Sequence, residues 1–178
     1  MAEPKIILAV CSGNIHRSVI AERCINRVLK KNGMDGEFVV VSRGLQTTSP
    51  PVGKNLRDYE AEWLANSPVL QEIGIDISDA KSTPVDISIV EKASLIIAMD
   101  RGVLIDKVNS LAKQFPEHGC KMRLFMELAG STEDVADTYG SSDQGLHRRV
   151  IELIHSVSTE RFDALLSYTK LFQERNET

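Results

Sequence analysis

The sequence predicts an α/β domain, and three observations carry that expectation. Short apolar runs alternate with stretches of helical periodicity along most of the chain. The 178 residues fit one domain, large enough to bury a core without staples. Hydrophobic residues at 42% and charged residues at 26% match an ordinary soluble globular protein.

Residues 5–10 are short, continuous and apolar, as expected of a strand buried on both faces. Residues 18–31 follow helical spacing, with Ala21, Ile25, Val28 and Leu29 on one face and Asn32-Gly33 as a stop. Cys24 flanks that face and is assigned to packing. Residues 37–42 form the second strand, and 47–54, with Ser49-Pro50-Pro51 and Gly53, the main irregular segment. A helical stretch packs Trp63 and Leu64 inward, and 67–73 is a short helix with Pro68 at an early position. A short helix at 86–93 leads into a buried strand at 95–99. Asp100 then caps a helix running from 103 to about 115. A weak fourth strand at 121–124 follows Cys120, assigned a structural role. Residues 144–171 give the longest helical pattern, with Leu146, Val150, Leu153, Ile154 and Val157 at three- and four-residue steps and Asp143 as its cap. His147-Arg148-Arg149 is read as a solvated basic face, and 173–178 as a polar tail.

The chemistry is concentrated in Val10-Cys11-Ser12-Gly13-Asn14-Ile15-His16-Arg17-Ser18, a turn between the first strand and the first helix. Such a turn points backbone N–H groups into one concavity and attracts an anion such as phosphate. A cysteine sulfur in that concavity is favoured as a thiolate, hence as a nucleophile. Arg17 offers a planar fork for two phosphate oxygens. Gly13 and Asn14 tolerate the positive φ that an anion nest requires. Ser18 can donate a hydrogen bond to the sulfur.

Val-Cys-x-Gly-Asn-x-x-Arg-Ser-x-x-Ala-Glu, residues 10–22, resembles the signature of the low-molecular-weight protein tyrosine phosphatases, which have thioredoxin-coupled arsenate reductases as relatives. The resemblance implies one domain over residues 1–178, with a four-stranded parallel sheet in a three-layer α/β/α arrangement and the phosphate loop after strand 1. It implies hydrolysis of phosphate monoesters, phosphotyrosine in proteins above all, through a cysteinyl-phosphate intermediate. No metal or other cofactor is implied. Cys11 and Arg17 would be catalytic, and Ser12, Gly13, Asn14, Ile15, His16 and Ser18 would bind phosphate, with Ser42 bracing the loop.

Late in the chain the family carries Asp-Pro-Tyr, and Asp137-Thr138-Tyr139 occupies that place. Asp137 is therefore the expected general acid and base, with Asp134 as its competitor, and Tyr139 a wall of the cleft. Thr138 in place of proline predicts a less rigid loop. Between Leu45 and Ala65 the chain exceeds the family pattern by several residues, and Tyr59 or Trp63 from that region would supply an aromatic wall. The family's histidine that hydrogen-bonds the loop asparagine is missing after Gly74-Ile75-Asp76-Ile77-Ser78, so that brace is absent or replaced. Arg43-Gly44 stands for the family's Ala-Gly, and Val19 for a proline. His16 takes the position of a second cysteine that in many members protects the nucleophile by disulfide formation, and it could instead stabilise the thiolate.

The net charge of -4 and pI near 5.6 argue against a nucleic-acid or anionic-membrane partner. No apolar run approaches the ~18 residues of a membrane span, and residues 1–5 lack signal-peptide character. An odd count of three cysteines suits a reducing cytoplasm. The expected substrate is a phosphotyrosine protein or a small aryl phosphate, and the expected state is a monomer. Three other functions share the loop. An arsenate reductase needs resolving cysteines, for which Cys24 and Cys120 are poorly placed. A protein-arginine phosphatase typically has threonine at the position of Ile15. A catalytically dead phosphate-binding module would follow if the altered bracing residues disabled the site.

Overall fold

The computed structural model describes residues 3–45 and 50–176, so Gln46–Ser49, part of the expected insertion and irregular segment, lie outside the described residues. Four strands form one sheet: β1 (Lys5–Cys11), β2 (Phe38–Gly44), β3 (Ala93–Ala98) and β4 (Met122–Leu124). All pairs are parallel and the spatial order is β2-β1-β3-β4. β1 is central, and this is why its sequence is a continuous apolar run rather than an alternating one. Ile7, Leu8, Ala9 and Val10 are each fully buried.

Successive β1 side chains enter opposite faces of the sheet. Ile7, Ala9 and Cys11 join Val40, Leu95 and Ile97 in the larger core cluster. That cluster is covered by α1 (Arg17–Lys31), α2 (Glu60–Glu72), α5 (Gln144–Glu160) and α6 (Phe162–Asn176). Leu8 and Val10 join Ile96 and Ala98 in the second cluster, under α3 (Ile87–Lys92) and α4 (Leu111–Gln114). Each fully buried Leu, Ile or Val in these layers contributes about 1.5–3 kcal/mol of transfer free energy. The alternation puts Cys11, the last residue of β1, on the α1 side, where a turn of five residues leads directly into the helix.

Five expectations need correction. The helix expected at 67–73 begins at Glu60, so Pro68 lies inside α2 rather than near its start. The carbonyl freed by the missing Pro68 N–H belongs to Leu64, which is 63% exposed instead of packed inward, so water can satisfy it. Trp63 does pack against the larger core. The helix expected from 103 to 115 is broken into a wide turn at Gly102–Asp106 and the short α4, because Lys107 adopts an extended ψ of 152°. The pattern over 144–171 divides into α5 and α6 at Arg161, whose φ of -109° and ψ of 24° leave the helical region while the apolar stripe continues. Cys120, expected to be structural, is exposed. Cys24 is fully buried, and burial pushes its thiol up to about 12. Among the described residues no helix is long and apolar enough to cross a membrane.

Candidate active site

The turn after β1 is held by backbone geometry and by β2. Asn14 adopts a φ of 53°, a left-handed conformation that asparagine tolerates. Gly13 does not take positive φ, contrary to expectation. It is required by space, since a Cβ there would lie 2.6 Å from the Pro50 ring. Gly44 at the end of β2 plays the same part from below, where a Cβ would meet the Asn14 backbone nitrogen at 3.1 Å.

Asn14 organises the loop. Its Nδ2 donates to Ser18 Oγ at 3.1 Å and to Ser42 Oγ at 2.9 Å. Ser42 in turn donates to Glu22 Oε2 at 2.5 Å. Asn14 Oδ1 accepts from the Thr83 backbone N–H at 2.8 Å. The brace that the sequence lacks as a histidine is thus supplied by a main-chain amide, which any residue type provides. Cys11 Sγ accepts from the Asn14 backbone N–H at 3.2 Å and lies 3.0 Å from Ser18 Oγ.

Arg17 opens α1 and is 2% exposed. Its Nη1 donates to Asp100 Oδ2 at 2.6 Å and to the Val135 carbonyl at 2.7 Å, and its Nη2 to Asp137 Oδ2 at 2.9 Å. Burial disfavours the charge, but the Cys11 sulfur, Asp137 and Asp100 outweigh it and hold the guanidinium above its ordinary range. Asp100 caps the following turn through Val103 N–H at 2.7 Å, as expected. Its other oxygen orients Arg17, a second role that the cap assignment missed.

Asp137 is brought to Arg17, with its side chain 51% exposed. Asp134 is turned away from the site, where Oδ1 accepts from the Arg101 backbone N–H at 2.7 Å. Tyr139, 48% exposed, meets Tyr59 edge-to-face with ring centroids 5.6 Å apart. Thr138 is 1% exposed, so the segment lacking the family proline is nonetheless packed. Trp63 lines a separate cleft with Leu70 and Ile75. Residues 11–17, Leu56, Pro50 and Tyr139 enclose a cavity of about 70 Å³ beside Cys11. Lys107 reaches its rim and donates to Ser12 Oγ.

His16 is tied to α2. Its Nε2–H donates to Asn66 Oδ1 at 2.8 Å. Burial, together with the neighbouring Arg17 and His147, pushes its imidazole down to about 4 despite the Asn66 hydrogen bond, so it is neutral near pH 7. His147, expected on a solvated face, is fully buried, whereas Arg148 is at the surface and pairs with Glu72 at 2.7 Å. The sequence reading missed Glu62, Asn66, Lys107 and His147. Each joins the site from a distant element, and no local motif marks them. Among the described residues no cluster of His, Cys, Asp and Glu is arranged to hold a metal ion.

No curated protein matches the sequence. Solved structures do. The low molecular weight protein tyrosine phosphatase from T. tengcongensis is 26% identical, with a TM-score of 0.69 over 91% of this chain and 97% of its own. Wzb from Vibrio vulnificus, solved in complex with benzylphosphonate, is 24% identical, with a TM-score of 0.69 over 88% of this chain and 95% of its own. The YwlE arginine phosphatase from Geobacillus stearothermophilus is 23% identical, with a TM-score of 0.67 over 98% of this chain and 97% of its own. The family profile for low molecular weight phosphotyrosine protein phosphatase matches residues 6–171. With four-fifths or more of its length matched, the chain belongs to the low molecular weight phosphotyrosine protein phosphatase family, a family of cysteine-dependent phosphatases.

Proposed function

We propose that this protein hydrolyses aryl phosphate monoesters, phosphotyrosine in proteins foremost, through a cysteinyl-phosphate on Cys11. The observation that carries the reading is the convergence on one small cavity of the Cys11 sulfur, the Arg17 guanidinium and the Asp137 carboxyl. A phosphate dianion entering the loop takes over Arg17 Nη2 from Asp137 and places its oxygens against the loop amides.

Cys11 then attacks phosphorus in line, forming the S–P bond as the P–O bond to the phenol breaks. Arg17 and the loop N–H groups hold the equatorial oxygens. Asp137 gives its proton to the leaving oxygen. Asp137 next removes a proton from water, whose oxygen attacks phosphorus, releasing inorganic phosphate and the Cys11 thiolate. Ser18 Oγ stabilises that departing sulfur.

Tyr139 and Tyr59 at the mouth support an aromatic leaving group. The benzylphosphonate complex of Wzb is consistent with such a ligand. Ile15, only 5% exposed, offers apolar surface where an arginine phosphatase typically has threonine. Hydrolysis of p-nitrophenyl phosphate by wild type, Cys11→Ser and Asp137→Asn across pH 4.5–8 tests the reading. Turnover with a mildly acidic optimum is expected, abolished in Cys11→Ser and reduced roughly a hundredfold or more in Asp137→Asn. Tight vanadate binding without turnover would replace the phosphatase by a phosphate-binding module.

A further inference from the structure

From the cavity wall at Glu62 inward runs a buried polar group that the chemistry above does not use. Asn66, fully buried on α2, accepts from His16 of the phosphate loop at 2.8 Å. Its Nδ2 donates to the Glu62 carbonyl at 2.6 Å and to His147 Nδ1 at 3.2 Å. With Nδ1 accepting, His147 is the tautomer whose Nε2–H donates to the Ser141 carbonyl, 2.9 Å away. Glu62 Oε1 accepts from the Gly140 backbone N–H at 2.6 Å. His16, Asn66 and His147 are matched donor to acceptor, while the Glu62 carboxylate lies beside them, with Oε2 3.9 Å from His147 Nε2. Burying so many polar atoms brings less stability than an apolar core of the same shape would, so their use is better sought in the geometry that they specify.

That geometry concerns the segment bearing Asp137. Its upstream side is fixed by Val135, fully buried, whose N–H donates to the Met99 carbonyl at 2.9 Å and whose carbonyl accepts from Arg17. Its downstream side is held at Gly140 and Ser141 by Glu62 and His147, beside the buried Thr138 and the Tyr139–Tyr59 contact. The same polar group ends on His16, one residue from Arg17. We propose that Glu62, Asn66 and His147 are positioning residues that set the Asp137 carboxyl against the phosphate loop and so govern proton delivery to the leaving group. The proposal rests on the phosphatase reading and specifies which step these residues serve.

The test compares two esters in His147→Leu and in Glu62→Gln, the latter a nearly isosteric change that guards against a failure of the former to fold. Phenyl phosphate expels a strongly basic phenoxide that needs the proton, whereas 2,4-dinitrophenyl phosphate expels a weak base that does not. For either variant kcat/KM should fall roughly tenfold further with phenyl phosphate than with the dinitrophenyl ester, since a displaced acid loses part of its catalytic factor. Vanadate affinity of His147→Leu should stay within about threefold of wild type, since the phosphate loop keeps its own braces. Equal loss on both esters, or no loss on either, would overturn the positioning role while leaving the phosphatase reading intact. A wild type inactive on both esters would overturn that reading itself, and the inference with it.

Discussion

His16 replaces a cysteine common at its position by a base that the fold keeps neutral, and acid should therefore destabilise the protein through this one residue. Its imidazole is pushed from 6.5 to about 4. Between those values the unfolded chain binds a proton that the folded chain refuses, so stability rises with pH across the window and is lost as pH falls from 6.5 towards 4. Integrating that difference gives a contribution of about 2.5 kcal/mol lost between pH 7.5 and pH 4.5. Glu72, whose carboxyl is lowered by the Arg148 hydrogen bond, and Asp76, lowered by the Ser78 N–H, add acid sensitivity of their own. Those contributions are common to wild type and to His16→Asn, so the comparison of the two isolates the imidazole. Urea unfolding at both pH values should show wild type losing about 2 kcal/mol more than His16→Asn. Equal losses in the two proteins would refute the claim that His16 is buried and neutral.

Asp100→Ala should cost about 3 kcal/mol in chemical denaturation, because it leaves the buried Arg17 guanidinium short of a partner only 2.6 Å away. Gly13→Ala should weaken vanadate binding by about tenfold or more in a fluorescence titration, since its Cβ would press on Pro50 at 2.6 Å and either the loop or Pro50 must move. Peroxide should inactivate the enzyme in a way that dithiothreitol reverses poorly. Position 16 holds His16, and Cys24 is buried with its thiol pushed up to about 12, which leaves Cys11 without a reactive cysteine beside it. Full recovery of activity after peroxide would contradict this.

How much the sequence disclosed depended on separation along the chain. Residues 10–18 carry their chemistry within one turn, so loop and helix start were legible together. The sheet was legible because each buried strand is a short apolar run. Helix limits were less so: the apolar stripe of α5 continues into α6, and nothing in its period reveals the break at Arg161. The supports of the site were least legible. Thr83 braces Asn14 from 69 residues away through a backbone N–H, which leaves no residue-type signal. Asn66 and His147 meet across 81 positions, and His147 sits beside two arginines that resemble a solvated run. Histidine beside arginine on a helix has no burial signature of its own, and only the packing of α2 against α5 decides it.

The central claim is that Cys11 carries the phosphoryl group during turnover. Rapid acid quenching of Asp137→Asn mixed with 2,4-dinitrophenyl phosphate, followed by peptide mass spectrometry, addresses it directly. That ester needs no general acid to form the intermediate, while hydrolysis of the S–P bond is slowed by loss of the base. A phosphoryl adduct on the Cys11 peptide, formed in a burst and absent in Cys11→Ser, is the predicted result. Continued ester hydrolysis with no adduct at Cys11, or an adduct on another residue, would contradict the account.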